Sequence, residues 1–555
     1  MKAAFMNLDR NNFFYNYFLE NKILKQSGGL PAEELVERIM FLARFAWRNH
    51  PGYYADGRIE NLLFNFGLKL DEYADAATAE KKRKSLLPDL KSISILHLAT
   101  ELYQVGGHTR ILYQFIKRHA VENQVIVLTS QCKKKLPQWF VDGIGEIPVI
   151  ILDELDSVFE RAAVLRQIAD LSQKIMLYQH PWDAVPVIAL SCKDAPPVLL
   201  ENHAHSWFWL GASIADMVIA HTSFHTLFTQ IMRPVKNSWY LPFTQLDDLQ
   251  AITTPADKLQ ARERLGIPAD CICLITLGTA EKFIPNADYN FYATAHKIVE
   301  RFDRVQLYVI GSAYDDRYPV NRDKIHFLGY LADPDDYYRA ADICLDALPQ
   351  PSLGATLYAT LIGMACPMYK YGSGLVFNSR NFSDTKLYDQ HVGSVQNEEE
   401  YLEKLGFLIE HPEIRQQIAA EIRHDYVTLY SREQVAQNLA RMFDAAERLE
   451  HAPAMIPDAQ FRCDTESAEI ADAGCLQDVY GSLLYFDGCF SLKDKALVLA
   501  RLLVNPLYGI EVLELAGRLL LRKAKALFFI PEVSRRAYGS HYRVLSASVS
   551  SDSGK

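Results

Sequence analysis

The chain reads as an α/β protein carrying two Rossmann-like domains, and three observations predict it. Short apolar runs alternate with helical stretches of roughly 10–15 residues, the pattern of βαβ units on a parallel sheet. Several of these runs end in glycine, where backbone can approach a phosphate and a following helix N-terminus favours an anion. The same grammar occurs on both sides of residue 250, in a chain of 555 residues that is too long for a single core.

The clearer half is the second. A buried-strand pattern over Cys271 to Gly278 leads into a polar turn with Lys282 and Pro285, then a helix. Val305 to Gly311 is another strand ending in glycine, followed by Ile325 to Tyr330, a helix over Asp333 to Ala341 and a strand at Asp342 to Asp346. A loop then enters the helical segment Gly354 to Pro367. In the first half, Ser92 to Ala99 is a strand, and a loop with Gly106, Gly107 and His108 precedes a helix over Ile111 to His119. That arrangement sets backbone N–H groups at the strand's C-terminal edge, where an open α/β sheet binds ligands; alone, a Gly-Gly turn is commonly just a tight turn. Pro197 to Gly211 begins as a strand and releases Asn202, His203 and His205, and a further strand covers Ala215 to Ala220.

The order of these pieces resembles the C-terminal domain of the family-4-type glycosyltransferases of the GT-B fold. There a glycine-ending strand precedes a lysine-bearing turn, matched by Gly278 and Lys282. A second strand ends in glycine (Gly311), Phe-Leu-Gly-Tyr follows at Phe327 to Tyr330, and a helix closes on Ala-Ala-Asp at Ala340 to Asp342. The final motif, of the type Gly-x-Thr-x-x-x-Glu-Ala-x-x-x-Gly-x-Pro, is matched in part from Gly354 to Pro367. Thr360 stands where the family has a donor-binding glutamate, and Ala365 where it has a glycine. The resemblance implies two Rossmann-like domains facing each other across a cleft, with helical extensions at both ends. It also implies a nucleotide-diphosphate sugar as co-substrate, with no separate cofactor and no metal.

It implies roles for individual residues as well. Lys282 would neutralise the diphosphate, and Gly278 would let the chain approach it. Gly354, Ala355 and Thr356 would meet the distal phosphate, and Leu328, Gly329 and Tyr330 would wall the base pocket. Thr360 would take part of the hydrogen bonding of the missing glutamate, and Gly106 and Gly107 would face the donor phosphates from the opposite domain. A segment of the Asn-His-Ala-x-His type marks a subset of bacterial members and nominates His203 and His205. If the reaction inverts the anomeric centre, either histidine takes the acceptor proton; if it retains configuration, the leaving phosphate takes it and the histidine contacts the sugar. The plainer readings are a surface lysine on a turn and histidines satisfied within the fold. His-x-His supplies only two metal ligands and no third is in register.

Composition bounds the rest. With 49% hydrophobic and 23% charged residues the chain is of ordinary globular type. A formal net charge of −10 argues against broad nucleic-acid binding. The nine cysteines form no CxxC pair, which suits a reducing cytoplasm, and Cys271 and Cys273 are expected to be buried as small hydrophobes. No signal-peptide core or membrane-spanning run is evident.

Four segments are expected. They are a helical, aromatic-rich extension over residues 1–90, an acceptor-side domain over 91–250, a nucleotide-sugar domain over 251–450, and a helical extension with a Ser-rich tail over 451–555. The resemblance also implies a closing helix that returns to the first domain, and Ser431 to Leu449 is the candidate. Within 497–543, eight Lys or Arg face three Glu among apolar runs. This basic amphipathic stretch suits peripheral contact with an anionic membrane, or else packs on the catalytic domains with its basic face in water. The acceptor that the resemblance implies is a glycan, a lipid-linked glycan or a protein. Two rival readings remain open: a non-catalytic GT-B subunit that scaffolds a partner transferase, suggested by Thr360, and an epimerase or phosphorylase on the same fold.

Overall fold

The computed structural model describes residues 2–503 apart from 89–91, 105–106, 120, 133, 206, 243–251, 286–288, 350–351, 368–394, 396 and 461–489. Gly106 and most of the 497–543 stretch therefore lie outside the described residues. The predicted α/β class with parallel sheets is what forms.

The first sheet has seven strands: β1 (Ile95–Ala99), β2 (Gln124–Leu128), β3 (Val149–Ile151), β4 (Ile175–Tyr178), β5 (Val198–Glu201), β6 (Met217–Ala220) and β7 (Ser238–Tyr240). All pairs are parallel, in the order β3-β2-β1-β4-β5-β6-β7. The order reverses between β1 and β4, the switch point at which such sheets open a crevice. Apolar residues run continuously along these strands because both faces are covered. Leu96, Leu98, Val125, Val127, Ile175 and Leu177 face a core built with the N-terminal helices Lys2–Phe18, Ala32–Arg48 and Gly57–Leu68. Ile95, Ile126, Leu128, Met176 and Leu199 face the other side, against the helix Gly107–Arg118. Val435, Leu439, Met442 and Phe443 of the helix Arg432–Ala446 complete that second core, so a helix late in the sequence packs on the first sheet.

The second sheet is β8 (Ile272–Leu277), β9 (Val305–Ile310), β10 (Ile325–Gly329) and β11 (Ile343–Cys344), all parallel, in the order β10-β9-β8-β11. Leu274, Leu307, Val309 and Ile343 face one core and Cys273, Ile275, Tyr308 and Cys344 the other. Cys273 is fully buried and Cys271 nearly so, as small hydrophobes in a strand are. Asp342, the acid of the Ala-Ala-Asp sequence, accepts from Arg262 at 2.7 Å, Lys258 at 2.9 Å and the Cys273 N–H at 2.8 Å. It pins the helix Pro255–Leu265 to the sheet, a structural task.

Beyond residue 446 the chain runs back over the first sheet. His451 Nδ1 lies 2.6 Å from Asp216 and its Nε2 2.8 Å from the Leu190 carbonyl, while the Ala454 N–H donates to Ser213 O at 2.9 Å. Ile456 and Asn61 exchange two hydrogen bonds of 2.9 Å. The helix Leu492–Leu503 then docks on the N-terminal helices through Lys22–Asp494, at 2.8 Å, and the Phe490–Phe18 ring contact. Among the described residues no helix is long and apolar enough to cross a membrane.

Candidate functional site

Two clusters of polar side chains stand at the C-terminal ends of the two sheets. In the first, β5 ends at Glu201, a buried carboxylate between two histidines. His203 Nδ1 lies 3.2 Å from its Oε2, and His221, just past β6, presents Nε2 at 2.8 Å to its Oε1. Burial pushes the Glu201 carboxyl up, but the hydrogen bonds from His203 and His221 outweigh it and hold the group well below the usual carboxylate range. Since a carboxylate only accepts, His203 carries its proton on Nδ1 toward Glu201 and leaves Nε2 as the basic nitrogen.

Across from His203 lies His108, in the first turn of the helix Gly107–Arg118, with ring centroids 4.5 Å apart. The Tyr178 carbonyl at 2.9 Å fixes the His108 proton on Nε2, and its Nδ1 is buried without a hydrogen bond. Burial, aided by His203, lowers the His108 pKa to about 4, so the ring is neutral. His180, past the end of β4, joins the group. Its Nε2 is 2.9 Å from the Tyr103 hydroxyl and its backbone N–H donates to Thr100 Oγ1 at 2.8 Å. Thus β1, β4 and β5 each deliver a residue to the switch point. Among the described residues no three His, Cys, Asp or Glu are grouped as metal ligands; Glu201 accepts hydrogen bonds from its histidines instead.

His205 is placed differently. Its ring packs on His225 with centroids 3.8 Å apart, and its carbonyl accepts from Arg233 at 2.7 Å. Arg233 also holds the carbonyls of Ala204 and Trp207, at 3.3 and 2.6 Å. Burial, with His225 and Arg233 nearby, pushes the His205 pKa well down. The two histidines of one motif therefore part company: His203 joins Glu201 and His108, and His205 joins the Arg233 cluster.

In the second cluster, Lys282 lies in the 3-10 turn Ala280–Phe283 after β8. Burial lowers its pKa, and the nearby Asp346 carboxylate opposes that shift. Asp346, past β11, is buried and its pKa rises to about 6 through burial, with hydrogen bonds and Lys282 pulling it down. Its Oδ1 accepts from the N–H groups of Ala347 and Ser352, both at 2.8 Å. Ser352 is the N-cap of the helix Leu353–Leu361, so Asp346 couples Lys282 to the start of that helix.

Gly354 is exposed and Ala355 partly so, at the helix's first turn. The N–H groups of Ala355 and Thr356 donate to Ser352 O at 2.9 and 3.1 Å. The buried Thr356 hydroxyl points at the same carbonyl at 3.4 Å, and buried Thr360 donates to Thr356 O at 2.9 Å. Both hydroxyls are thus engaged along their own helix. Leu328 is partly buried, Gly329 adopts φ +65°, and Tyr330 is 67% exposed at the end of β10. Gly278 sits against Lys282 and Phe283, where an added Cβ would come within 3.2 Å of each.

Sequence reasoning brought out Lys282 and His203 but missed Glu201, His221, His180 and Asp346 as partners. Each follows the end of a strand or closes one, and that shared position is the signal available in the sequence.

No protein-family model matches the chain, and no curated protein is similar to it. Solved structures of similar shape include Anabaena HepE in complex with UDP and glucose, at 16% identity and TM-score 0.48, over 64% of this chain and all of that one. Another is the O-GlcNAc transferase of Thermobaculum terrenum, at 13% identity and TM-score 0.46, over 75% of this chain and 81% of that one. Sucrose-phosphate synthase from Thermosynechococcus elongatus matches at 13% identity and TM-score 0.46, over 63% and 98% of the two chains. At such scores function has to be read from the chain's own residues.

Proposed function

We propose that the chain is a GT-B glycosyltransferase of the family-4 type that moves a hexosyl group from a nucleotide-diphosphate sugar to an acceptor, without a metal. The observation that carries this reading is the partly buried Lys282, close to Asp346, which in turn accepts from the N-cap Ser352 of the helix Leu353–Leu361. As the anomeric C–O bond breaks, the electron pair leaves with the diphosphate, and charge builds on its oxygens. A cation and a helix N-terminus placed beside them supply the stabilisation that other sites draw from a metal. A desolvated lysine is costly alone, and an anionic ligand relieves that cost.

On the first sheet, His203 is the group to receive the acceptor proton if configuration inverts. Glu201 fixes its tautomer and stabilises the imidazolium that forms, the division of labour of a base and its orienting acid. If configuration is retained, the departing phosphate takes the proton and His203 bonds the sugar. His205 serves the fold. The acceptor is a glycan, a lipid-linked glycan or a protein, and the reaction takes place in the cytoplasm or at the inner face of a membrane.

Thr360 favours a second reading, a non-catalytic subunit. It stands in place of a donor-binding acid and its hydroxyl is spent on Thr356 O. A melting screen against UDP-, GDP-, ADP- and dTDP-sugars, followed by an assay for released nucleotide, decides between the two. Transfer predicts stabilisation by one nucleotide class and its turnover. Stabilisation without turnover supports the subunit, and no stabilisation by any sugar nucleotide removes the transferase.

A further inference from the structure

Beside His203 lies a cavity of ≈ 10 Å³, partly open to solvent and lined by Gln179, Pro181, Leu200, Glu201, Asn202, His203, Ala204 and Trp209. Three of its side chains are at least nine-tenths buried and each keeps one polar atom without a hydrogen bond: Gln179 Oε1, Asn202 Oδ1 and Trp209 Nε1. Orphaned polar atoms in the interior are costly, and three on the side chains around one cavity mark a place built for a polar guest.

The orientation of these groups is fixed by their other contacts. Gln179 Nε2 donates to the Leu210 carbonyl, and Asn202 Nδ2 donates to Thr229 Oγ1 at 3.0 Å, so both amide oxygens are left over. Gly211, at φ +113°, leaves room for the Gln179 amide, which an added Cβ would meet at 2.5 Å. Arg233 lies over the Trp209 ring, 4.7 Å from its centroid, and holds the indole in place. The side chains that line the cavity thus carry one unspent donor and two unspent acceptors, with Glu201 in the same wall.

We propose that this cavity is a sugar-hydroxyl subsite: one hydroxyl of a neutral polyol enters it, accepting from the Trp209 N–H and donating to the amide oxygen of Gln179 or Asn202. A vicinal hydroxyl on the same molecule serves the second oxygen. The volume suits one water-sized group, so the rest of the ring lies across the mouth, next to His203. An anion is excluded, because two amide oxygens and a carboxylate would face it. Calling that sugar the acceptor rests on the transferase reading above; the subsite itself does not.

The test uses the full chain labelled with 5-fluorotryptophan and titrated with D-glucose, with sodium acetate as the anionic control. The Trp209 fluorine signal is assigned by its loss in Trp209→Phe, which keeps a benzene ring but loses the N–H together with the five-membered part of the indole. Leu200→Val, a mild change in the cavity wall, gives a second assignment should that variant fail to fold. Glucose should move the Trp209 signal saturably while acetate leaves it in place, and Asn202→Leu, which removes the amide oxygen at similar volume, should weaken the glucose response about tenfold. A Trp209 signal that never moves with glucose, or that moves equally with acetate, overturns the proposal. Because this readout needs no turnover, a chain that responds at Trp209 but consumes no sugar nucleotide keeps the subsite and loses the transferase.

Discussion

At Gly311 the backbone has φ +92°, and an added Cβ would lie 2.6 Å from the Gly278 carbonyl oxygen. Two strand ends, β8 and β9, meet there without side chains between them, and Lys282 is four residues past Gly278. Gly311→Ala carries both the positive-φ penalty and a backbone clash. It should cost about 2 kcal/mol or more, read as a lower denaturant midpoint with unchanged slope. Glu60 makes a different residue-scale prediction. Its carboxyl is buried, accepts the Ser213 N–H at 2.6 Å, and burial raises its pKa to about 7. The folded value exceeds the unfolded one, so the stability it lends is full at low pH, declines as pH rises from about 4.5 and is gone above about 7. Glu60→Gln keeps the acceptor and removes the charge. Relative to wild type it should gain on the order of 3 kcal/mol between pH 4.5 and 8, seen by melting at both values. An equal offset at the two pH values would mean that Glu60 does not titrate in this window. Residues of this kind are illegible in sequence, since nothing near Glu60 announces that Ser213 will bury it. Gly311 was legible because a glycine at a strand end is already a geometric statement.

Among elements, the strands were the most readable. Both faces of each sheet are covered, so Ile272–Leu277 and Val305–Ile310 are nearly uninterrupted apolar runs that no surface strand would carry. Ends were less readable. Asp342 to Asp346 was expected as one strand, but only Ile343–Cys344 pairs, because Asp342 turns to its basic partners and Asp346 to Ser352. The helix Arg432–Ala446 shows what pattern alone could suggest but not place. Its apolar stripe was evident, while its seat on the first sheet depends on contacts such as His119 against Phe443, with ring centroids 4.1 Å apart. Leu439 is fully buried there. Leu439→Ala should destabilise by roughly 2–5 kcal/mol and speed amide exchange in the helix Gly107–Arg118, which shares that core. Faster exchange confined to Arg432–Ala446 itself would show that the helix contributes little to the first sheet.

Over the whole molecule, the two sheets present their chemistry at equivalent edges. Each strand order reverses beside the strand that opens its sheet, and the polar groups gather past strand C-termini. The sequence indicated Lys282 and His203 through position and resemblance. It did not indicate that His203 would be held by Glu201 and His205 by the Arg233 cluster, because two residues of chain cannot reveal which neighbours fold back on them. The strap over residues 451–460 and the helix Leu492–Leu503 were legible only as an extension; their docking rests on the distant partners Asp216, Asn61 and Lys22. The measurement that bears most directly on the transferase account is turnover of the sugar nucleotide selected by the melting screen, compared for wild type, Lys282→Ala and His203→Ala with folding checked by melting. Loss of Lys282 should lower the rate by about 10²-fold or more, the scale for removing one group that stabilises developing charge. His203→Ala should slow transfer while nucleotide affinity stays near that of wild type. A Lys282→Ala variant that turns over at the wild-type rate would contradict the account.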